Sequence, residues 1–403
     1  MAQNAQKHFP WQIGELPFNW GPLKEPTNGP GLPDFLPFGL DLDPNTFHLK
    51  QVASVQTSKA LDLAYLSGSQ ISGMMDESGI GLQYAEDFLK FLCTLHGSNG
   101  FQDVRILEIG CGTGYLMHRL ASLGAQVVGI EPGVHGQASM SKYGTKIIRD
   151  FFPSSKIEGK FDFIVFYGVL EHFEKPEELL TNLPEFLSPG GKIALAIPNC
   201  EPYIEAGDIS MLLHEHWSYF THDSLRALLS MHGGHDVKVE PSGFGGLYYA
   251  SARMEIDRRQ VSTLTEAGIR DLRLTATRFV EQARASAERL KEILNLNLEN
   301  SLSTGLFVPG RAVNTLAFTH ANLTSCRFFD DNHNFQGCYF AGIPVVIESR
   351  EALLANPTDT VIIMSHTFGS RIAAELEKVL PKQTKLITWN DIYAAKPLSK
   401  GCQ

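Results

Sequence analysis

The fold of this 403-residue chain is decided by one stretch, Val104-Arg105-Ile106-Leu107-Glu108-Ile109-Gly110-Cys111-Gly112-Thr113-Gly114. An apolar run opens into three alternating glycines, and a segment with a helix-like pattern, residues 115–123, follows. The pattern predicts a strand, a tight turn and a helix. The glycines allow a ligand to lie directly on the peptide amides at the helix N-terminus. We therefore expect a carboxylate or a phosphate group to bind at this turn.

The next predicted strand, residues 126–130, indicates what that ligand is. It ends in Glu131, about 20 residues after the turn, where an acidic side chain in a doubly wound sheet accepts hydrogen bonds from ribose hydroxyls. A dinucleotide loop has the spacing G-x-G-x-x-G, but Tyr115 stands here in place of its third glycine. Glu108 would repel a pyrophosphate and would hold an ammonium group. The residues therefore predict that the ligand is a nucleoside.

The stretch from Glu108 to Gly114 resembles the first motif of class I S-adenosylmethionine (SAM) dependent methyltransferases. The resemblance implies that the glycine amides face the amino-acid end of SAM and that Glu131 binds its ribose. It also implies that Asp150, after a predicted strand, meets the adenine amino group beside an apolar wall. The predicted cofactor-binding residues are Glu108, Gly110, Gly112, Gly114, Glu131, Asp150, Phe151, Tyr167 and Tyr65.

Two later segments support the same resemblance. Residues 161–172 read as a strand that runs through Tyr167 into Glu171 and His172, like the cofactor and substrate edge of that family. Residues 187–197 resemble the turn and fifth strand of its sheet. The predicted fold is therefore α/β, with the doubly wound sheet of a class I methyltransferase and SAM as the cofactor.

Length and hydrophobic pattern predict several domains. A chain of 403 residues exceeds the usual size of a single core. We expect an irregular N-terminal lobe on the substrate side (1–80), a SAM-binding domain (81–255), a helical connector (256–300) and a second, smaller Rossmann-like domain (301–403).

Composition narrows the classes of partner. The net charge of −10 argues against nucleic acid or an anionic membrane as a partner. No apolar run reaches the roughly 18 residues needed to span a bilayer, and no signal peptide is evident, so we expect a cytoplasmic protein. The six cysteines are scattered, which predicts neither disulfides nor a Cys-rich zinc site. A monomer or a homodimer is expected.

The segment after the fifth strand is the best candidate for carrying the chemistry, because ligands bind at the carboxyl ends of such strands. Its residues Glu215-His216-Trp217-Ser218-Tyr219-Phe220-Thr221 resemble the E-H-x-x-Y-F-[ST] segment of deoxysugar C-methyltransferases, which act on nucleotide-linked keto sugars. The resemblance implies that His216 is the base that forms an enolate. His172 or Tyr219 is then the donor to the developing oxyanion.

The chain departs from that family at two places. The family binds zinc through paired cysteines in its N-terminal lobe, whereas this lobe has no cysteine before Cys93, so no zinc is predicted. The family also has a tyrosine three residues before its catalytic histidine, where this chain has Leu213. His214 or Tyr65 would have to replace that donor.

Two further groups of polar residues could form a metal site or a nucleotide site. No metal site is predicted from the histidines of residues 214–235, since no carboxylate partner is evident there. In the C-terminal unit, Gly310-Arg311 with Asn314 and Asp330 predicts either a nucleotide diphosphate site or a purely structural domain.

The sequence favours a SAM-dependent methyltransferase of a small molecule, with a nucleotide-linked keto sugar as the most specific version. An O- or N-methyltransferase of another metabolite remains open, with His216 deprotonating a hydroxyl or an amine. An NAD-dependent oxidoreductase and a non-catalytic binding protein are the alternatives from other classes.

Overall fold

The computed structural model describes most of the chain. The described residues are 11–19, 21–29, 31–67, 75, 77, 79–133, 142–255, 266–308, 310–366 and 368–394, without the side chains of residues 65–67, 311 and 394.

The N-terminal region forms a small antiparallel sheet followed by a helix. Its elements are β1 (Trp11–Pro17), β2 (Phe35–Leu42), β3 (Leu49–Gln51) and α1 (Val55–Ser67). This lobe is more regular than the sequence predicted. Its prolines and glycines suggested irregular chain, but Pro17 ends β1 and Gly14 lies at a shift in the pairing register, where strands accept such residues.

The central domain is built on a seven-stranded sheet. Its elements are α2 (Gly79–His96), β4 (Arg105–Ile109), α3 (Tyr115–Ser122), β5 (Gln126–Ile130), β6 (Lys146–Ile148), β7 (Phe161–Tyr167), α4 (Pro176–Asn182), β8 (Leu187–Pro198), α5 (Glu201–Ala206), β9 (Ser218–Tyr219), α6 (His222–Met231), β10 (Gly234–Pro241) and β11 (Leu247–Met254). The strand order is β10-β11-β8-β7-β4-β5-β6. Strands β4 to β8 run parallel, and β10 and β11 close the sheet as an antiparallel hairpin. The predicted doubly wound sheet is confirmed.

The sheet is apolar on both faces because helices cover both. One layer packs Phe88, Leu89 and Leu92 of α2 against the sheet, at the helical spacing seen in the sequence. The other layer packs α4 and α6 against the opposite face. Buried strands with both faces covered are typical of parallel sheets, and this arrangement leaves the strand ends as the place where ligands bind.

Strand β9 does not join the central sheet. It pairs with β3, so that Leu49 lies opposite Tyr219, and it becomes the fourth strand of the N-terminal sheet in the order β1-β2-β3-β9. Strand β9 lies within residues 215–221, the segment predicted to contain the catalytic histidine. That segment is therefore part of two domains at once.

The C-terminal part begins with one long helix, α7 (Glu266–Glu299), and continues as a second sheet. Its elements are β12 (Thr304–Phe307), α8 (Val313–Thr319), β13 (Cys326–Phe329), β14 (Ile347–Glu348), α9 (Arg350–Ala355), β15 (Thr360–Ile363), α10 (Gly369–Leu376), β16 (Lys385–Thr388) and α11 (Trp389–Ala394). All five strands are parallel, in the order β14-β13-β12-β15-β16. The predicted Rossmann-like unit is confirmed.

Several contacts join the parts of the chain. The indole of Trp11 donates to Thr277 Oγ1 of α7 at 3.2 Å, and Leu23 forms a backbone bridge with Tyr339 of the C-terminal unit. Arg289 Nε donates to the carbonyl of Ile392 at 2.7 Å, which ties α7 to the last helix. Among the helices that the structure describes, none combines the length and the apolar character needed to cross a bilayer.

Candidate active site

The predicted cofactor-binding features meet at one edge of the central sheet. Strands β4, β5 and β6 are parallel neighbours, so their carboxyl ends lie side by side. The glycine turn 110–114 follows β4, Glu131 follows β5, and Asp150 follows β6. Residues that are 40 positions apart in sequence thereby line one crevice, the usual ligand site of a doubly wound sheet.

Gly110 begins the turn in a conformation that requires glycine. Its φ is +68°, in the left-handed region, and a Cβ at this position would lie 2.6 Å from Cγ2 of Val169. Any larger residue would have to push the turn away from the loop that follows β7. The close approach of these two loops fixes where the amides of the turn point.

Two acidic side chains flank the turn, and they differ in their hydrogen bonding. Glu131 accepts the backbone N–H of Gly112 at 3.0 Å and that of Gly133 at 2.8 Å, and it retains lone pairs for hydroxyl donors. Glu108 is buried, and within the described part of the chain its Oε2 has no hydrogen-bond partner. Burial, assisted by the charge of Glu131, raises the pKa of Glu108 to about 8. An unsatisfied buried carboxylate beside the turn fits the ammonium group of SAM.

The part of the crevice that is predicted to bind adenine is exposed to solvent. Asp150 accepts the N–H of Phe151 and the hydroxyl of Ser154, both at 2.9 Å, and pairs with Lys156 at 3.0 Å. The Phe151 side chain is 67% exposed, so it can offer its ring to an adenine. The prediction for Tyr65 lies outside the described residues, because α1 includes its backbone but its side chain is not described.

Tyr167 lies at the carboxyl end of β7, next to the glycine turn. Its ring meets that of Phe88 edge-on, with centroids 5.2 Å apart. Its hydroxyl is buried and has no hydrogen bond in the part of the chain that is described, and burial raises its pKa above the ordinary value. Tyr167 therefore keeps a neutral phenol beside the crevice.

A second group of polar residues lies at the same edge of the sheet. His172 ends a short 3-10 turn after β7, and His216 lies in the segment before β9; their ring centroids are 4.8 Å apart and their planes are perpendicular. Glu171 joins them, so that one ligand atom from each of the three residues lies within 4.8 Å of the others. The backbone bond from Trp217 N–H to the Glu171 carbonyl, at 2.7 Å, holds the two segments together.

The surroundings of His172 set its protonation state. Burial lowers its pKa to about 4, and its ring also makes a hydrogen bond with the backbone of Glu215. Its Nδ1 has no partner in the described parts of the chain. His172 is therefore neutral at pH 7 and keeps a lone pair, so it can accept a proton or a hydrogen bond.

Tyr219 forms hydrogen bonds with the backbone of the segment that carries His216. Its hydroxyl donates to the carbonyls of Leu213 and His216, each at 3.1 Å, and its side chain is fully buried. The hydroxyl is thus used by the backbone of the segment. That Tyr219 donates a hydrogen bond to the oxyanion stays a prediction. The role would require the hydroxyl to break its bonds to these two carbonyls.

Sequence reasoning missed Glu171. It selected the neighbouring His172 but gave the carboxylate no role, although a buried acidic residue at the end of a parallel strand is a usable signal. The other histidines of the segment do not converge on His216. His214 Nε2 lies 3.2 Å from the Leu16 carbonyl, and His235 pairs with Glu255 at 3.1 Å.

The trio of Glu171, His172 and His216 also has the donor set of a two-histidine, one-carboxylate cation site. Within the described ranges it is the one group of three metal-ligating residues that comes together. The sequence prediction of no metal stays a prediction, and chelation tests it below.

The C-terminal candidates make separate hydrogen bonds. The side-chain amide of Asn314 donates to the carbonyl of Leu212 in the central domain. Asp330 accepts the N–H of Asn332 at 2.8 Å, and burial raises its pKa to about 6. The side chain of Arg311 lies outside the described residues. A nucleotide site here stays a prediction.

Known proteins share the central domain. Residues 76–238 match the family model described as a methyltransferase domain. A ubiquinone biosynthesis O-methyltransferase of Colwellia psychrerythraea is 30% identical over 113 residues, which are 26% of this chain and 46% of that protein. A tRNA U34 carboxymethyltransferase of Azotobacter vinelandii is 32% identical over 120 residues, which are 27% of this chain and 35% of that protein. This chain spans less than half of the length of each relative.

Among solved structures, a Burkholderia thailandensis 1,6-didemethyltoxoflavin-N1-methyltransferase shows 16% identity and a TM-score of 0.38, covering 54% of this chain and 95% of that one.

Residues 76–238 are thus a class I methyltransferase domain, and the predictions of a SAM-dependent methyltransferase and of SAM as cofactor are confirmed for this domain. The family model does not extend to the domains on either side, and its description does not specify the finer family of deoxysugar C-methyltransferases.

Proposed function

We propose that the whole chain methylates a small-molecule acceptor, and that the reaction is C-methylation of a nucleotide-linked keto sugar through an enolate. One observation carries the proposal: Glu171, His172 and His216 converge at the edge where the glycine turn and Glu131 would hold SAM. The sequence segment 215–221, which resembles that of deoxysugar C-methyltransferases, supplies the acceptor class.

Bound SAM supplies the methyl group as an electrophile. His216 takes the proton alpha to the ketone, so that the C–H electron pair moves into the enolate. The enolate carbon attacks the methyl group, a C–C bond forms, and the electrons of the C–S bond stay on sulfur. Glu171 lies in the same group of side chains, where its carboxylate can hydrogen-bond the imidazolium that His216 becomes.

His172 is placed to hold the acceptor. Its neutral ring accepts a hydrogen bond through Nδ1 from a sugar hydroxyl of the acceptor. Glu171 and His216 are buried, which keeps water from their side chains and strengthens the polar contacts that they make.

The test is a reaction of the purified protein with SAM labelled in its methyl group and a panel of nucleotide-linked keto sugars, followed by NMR. A methyl group on carbon, absent from His216→Ala although SAM still binds, is the expected result. Binding of SAM with no methylated keto sugar would overturn the proposed acceptor.

A second candidate, O-methylation, has its own support in the similarity of residues in this domain to ubiquinone biosynthesis O-methyltransferases. In that case His216 removes a hydroxyl proton. A labelled methyl group on oxygen, with its distinct chemical shift, separates this reaction from C-methylation in the same NMR experiment.

A further inference from the structure

The segment Leu212–His216 has no helix or strand of its own. It is buried, so its peptide groups need hydrogen-bond partners within the protein. Local backbone bonds, such as that from the His216 N–H to the Leu213 carbonyl at 2.9 Å, supply only some of them. Two carbonyls, those of Leu213 and His216, accept the hydroxyl of Tyr219 within the central domain. The Glu215 backbone is bonded by the His172 ring of the same domain. The carbonyls of Leu212 and His214 accept from side chains of the neighbouring domains.

The first of these side chains is Gln51, at the end of β3 in the N-terminal sheet. Its Nε2 donates to the carbonyl of His214 at 2.9 Å, and its own backbone N–H donates to the carbonyl of Trp217 at 2.9 Å. Gln51 is only 4% exposed. The N-terminal lobe therefore holds the backbone on both sides of His216.

The second side chain is Asn314, in α8 of the C-terminal unit. Its Nδ2 donates to the carbonyl of Leu212, and the residue is 1% exposed. The donor therefore reaches the segment from the side of the C-terminal unit, two residues before the carbonyl that Gln51 holds. Two buried amides from two different domains thus fix the backbone that precedes His216.

We propose that Gln51 and Asn314 are positioning residues for methyl transfer, which act by holding the segment that carries His216. This inference rests on the proposed function, in which His216 is the base. The reason is geometric: a catalytic group misplaced by about 1 Å loses about 100-fold in rate. Each outer domain then contributes one residue that positions His216, although the family model covers residues 76–238 alone.

The variants that test this are Gln51→Met and Asn314→Leu, which remove each donor and keep a side chain of similar size. Matched controls are Asn28→Leu, whose amide donates to the Pro33 carbonyl in the N-terminal lobe, and Asn297→Leu, whose amide donates to Thr304 Oγ1. Each control loses one side-chain amide hydrogen bond at a half-buried position away from the segment.

The kinetic expectation is a fall in kcat of about 10- to 100-fold in each test variant, with the KM for SAM unchanged. The controls should keep kcat within about twofold, as expected for a lost bond that does not reach the site. Combined with His216→Ala, neither test substitution should reduce the rate further, because both act through His216. A full additional loss in the double variants would overturn the proposal.

Amide hydrogen exchange gives a readout that needs no acceptor. Peptides covering residues 212–217 should exchange faster in both test variants and at the normal rate in both controls. Unchanged exchange there would overturn the proposal, and so would faster exchange spread over the whole central sheet, which marks a general loss of stability. The assay with labelled methyl groups decides the proposed function separately, since exchange does not depend on the acceptor.

Discussion

The two halves of the candidate site are built in different ways. The cofactor half consists of a glycine turn and carboxylates that follow successive strands of one sheet. The acceptor half consists of His216 on a segment held by the N-terminal sheet, by Tyr219 and by the C-terminal unit. SAM is the same for every enzyme of this class, whereas the acceptor differs, so the part that recognises the acceptor is the part that extra domains can modify.

The largest expected effect concerns the acceptor half. His216→Ala should lower kcat by about 10²- to 10⁴-fold, the range for loss of a general base, and leave SAM affinity unchanged. The control is His222→Ala, a partly exposed histidine of the same stretch that pairs with Asp223. Equal rates in the two variants, measured with labelled SAM, would remove His216 from the mechanism.

Next in size is an effect on the cofactor half. Gly110→Ala should weaken SAM binding by about 10- to 100-fold, because strain at a positive φ costs about 1–3 kcal/mol and the new Cβ also meets Val169. Gly190→Ala is the matched control, with φ +78° and open space around its Cβ. Calorimetric titration with SAM should separate the two, and a normal affinity in Gly110→Ala would contradict the described turn.

A smaller effect should appear as a pH dependence of SAM binding. Below its pKa of about 8, Glu108 is protonated in the empty site, and an ammonium group favours the ionised form. SAM affinity should therefore rise with pH, by up to about tenfold per unit between pH 5.5 and 7.5. In Glu108→Gln the rise should vanish. A rise that persists in this variant would assign the titration to another group.

The smallest expected effect tests the cation alternative in the acceptor half. Prolonged treatment with a chelator should leave the methylation rate unchanged, since His216 is proposed to act as the base while Glu171 and His172 hold it and the acceptor. A loss of activity that zinc or another divalent cation restores would instead show that the trio binds a metal. Metal analysis of the purified protein gives an independent check.

Much of the cofactor half was readable from the sequence because its signals are local. The strand, turn and helix around Gly110 follow from an apolar run, three glycines and a helical pattern, and the structure has β4 and α3 there. Glu131 was found from its distance along the chain, since a βαβ unit has a nearly constant length.

The acceptor half was only partly readable. His172 and His216 were selected by resemblance, but Glu171, Gln51 and Asn314 were given no role in holding His216. Gln51 and Asn314 contact the segment across more than a hundred residues of sequence, and Glu171 meets His216 only through the folding of the chain, so no local pattern records these contacts. The N-terminal sheet was also not predicted. Its fourth strand, residues 218–219, lies far away in sequence, so the pairing with β3 cannot be read from the N-terminal residues.

The sequence by itself determined the class of fold, the turn on which the cofactor is expected to lie and the carboxylates beside it. These depend on backbone conformations and strand lengths that neighbouring residues dictate. Only the tertiary structure decided that a carboxylate joins the two histidines and that three domains share the segment before β9. Such contacts form when separately folded layers pack together, and their energy depends on burial and geometry that a linear pattern does not contain.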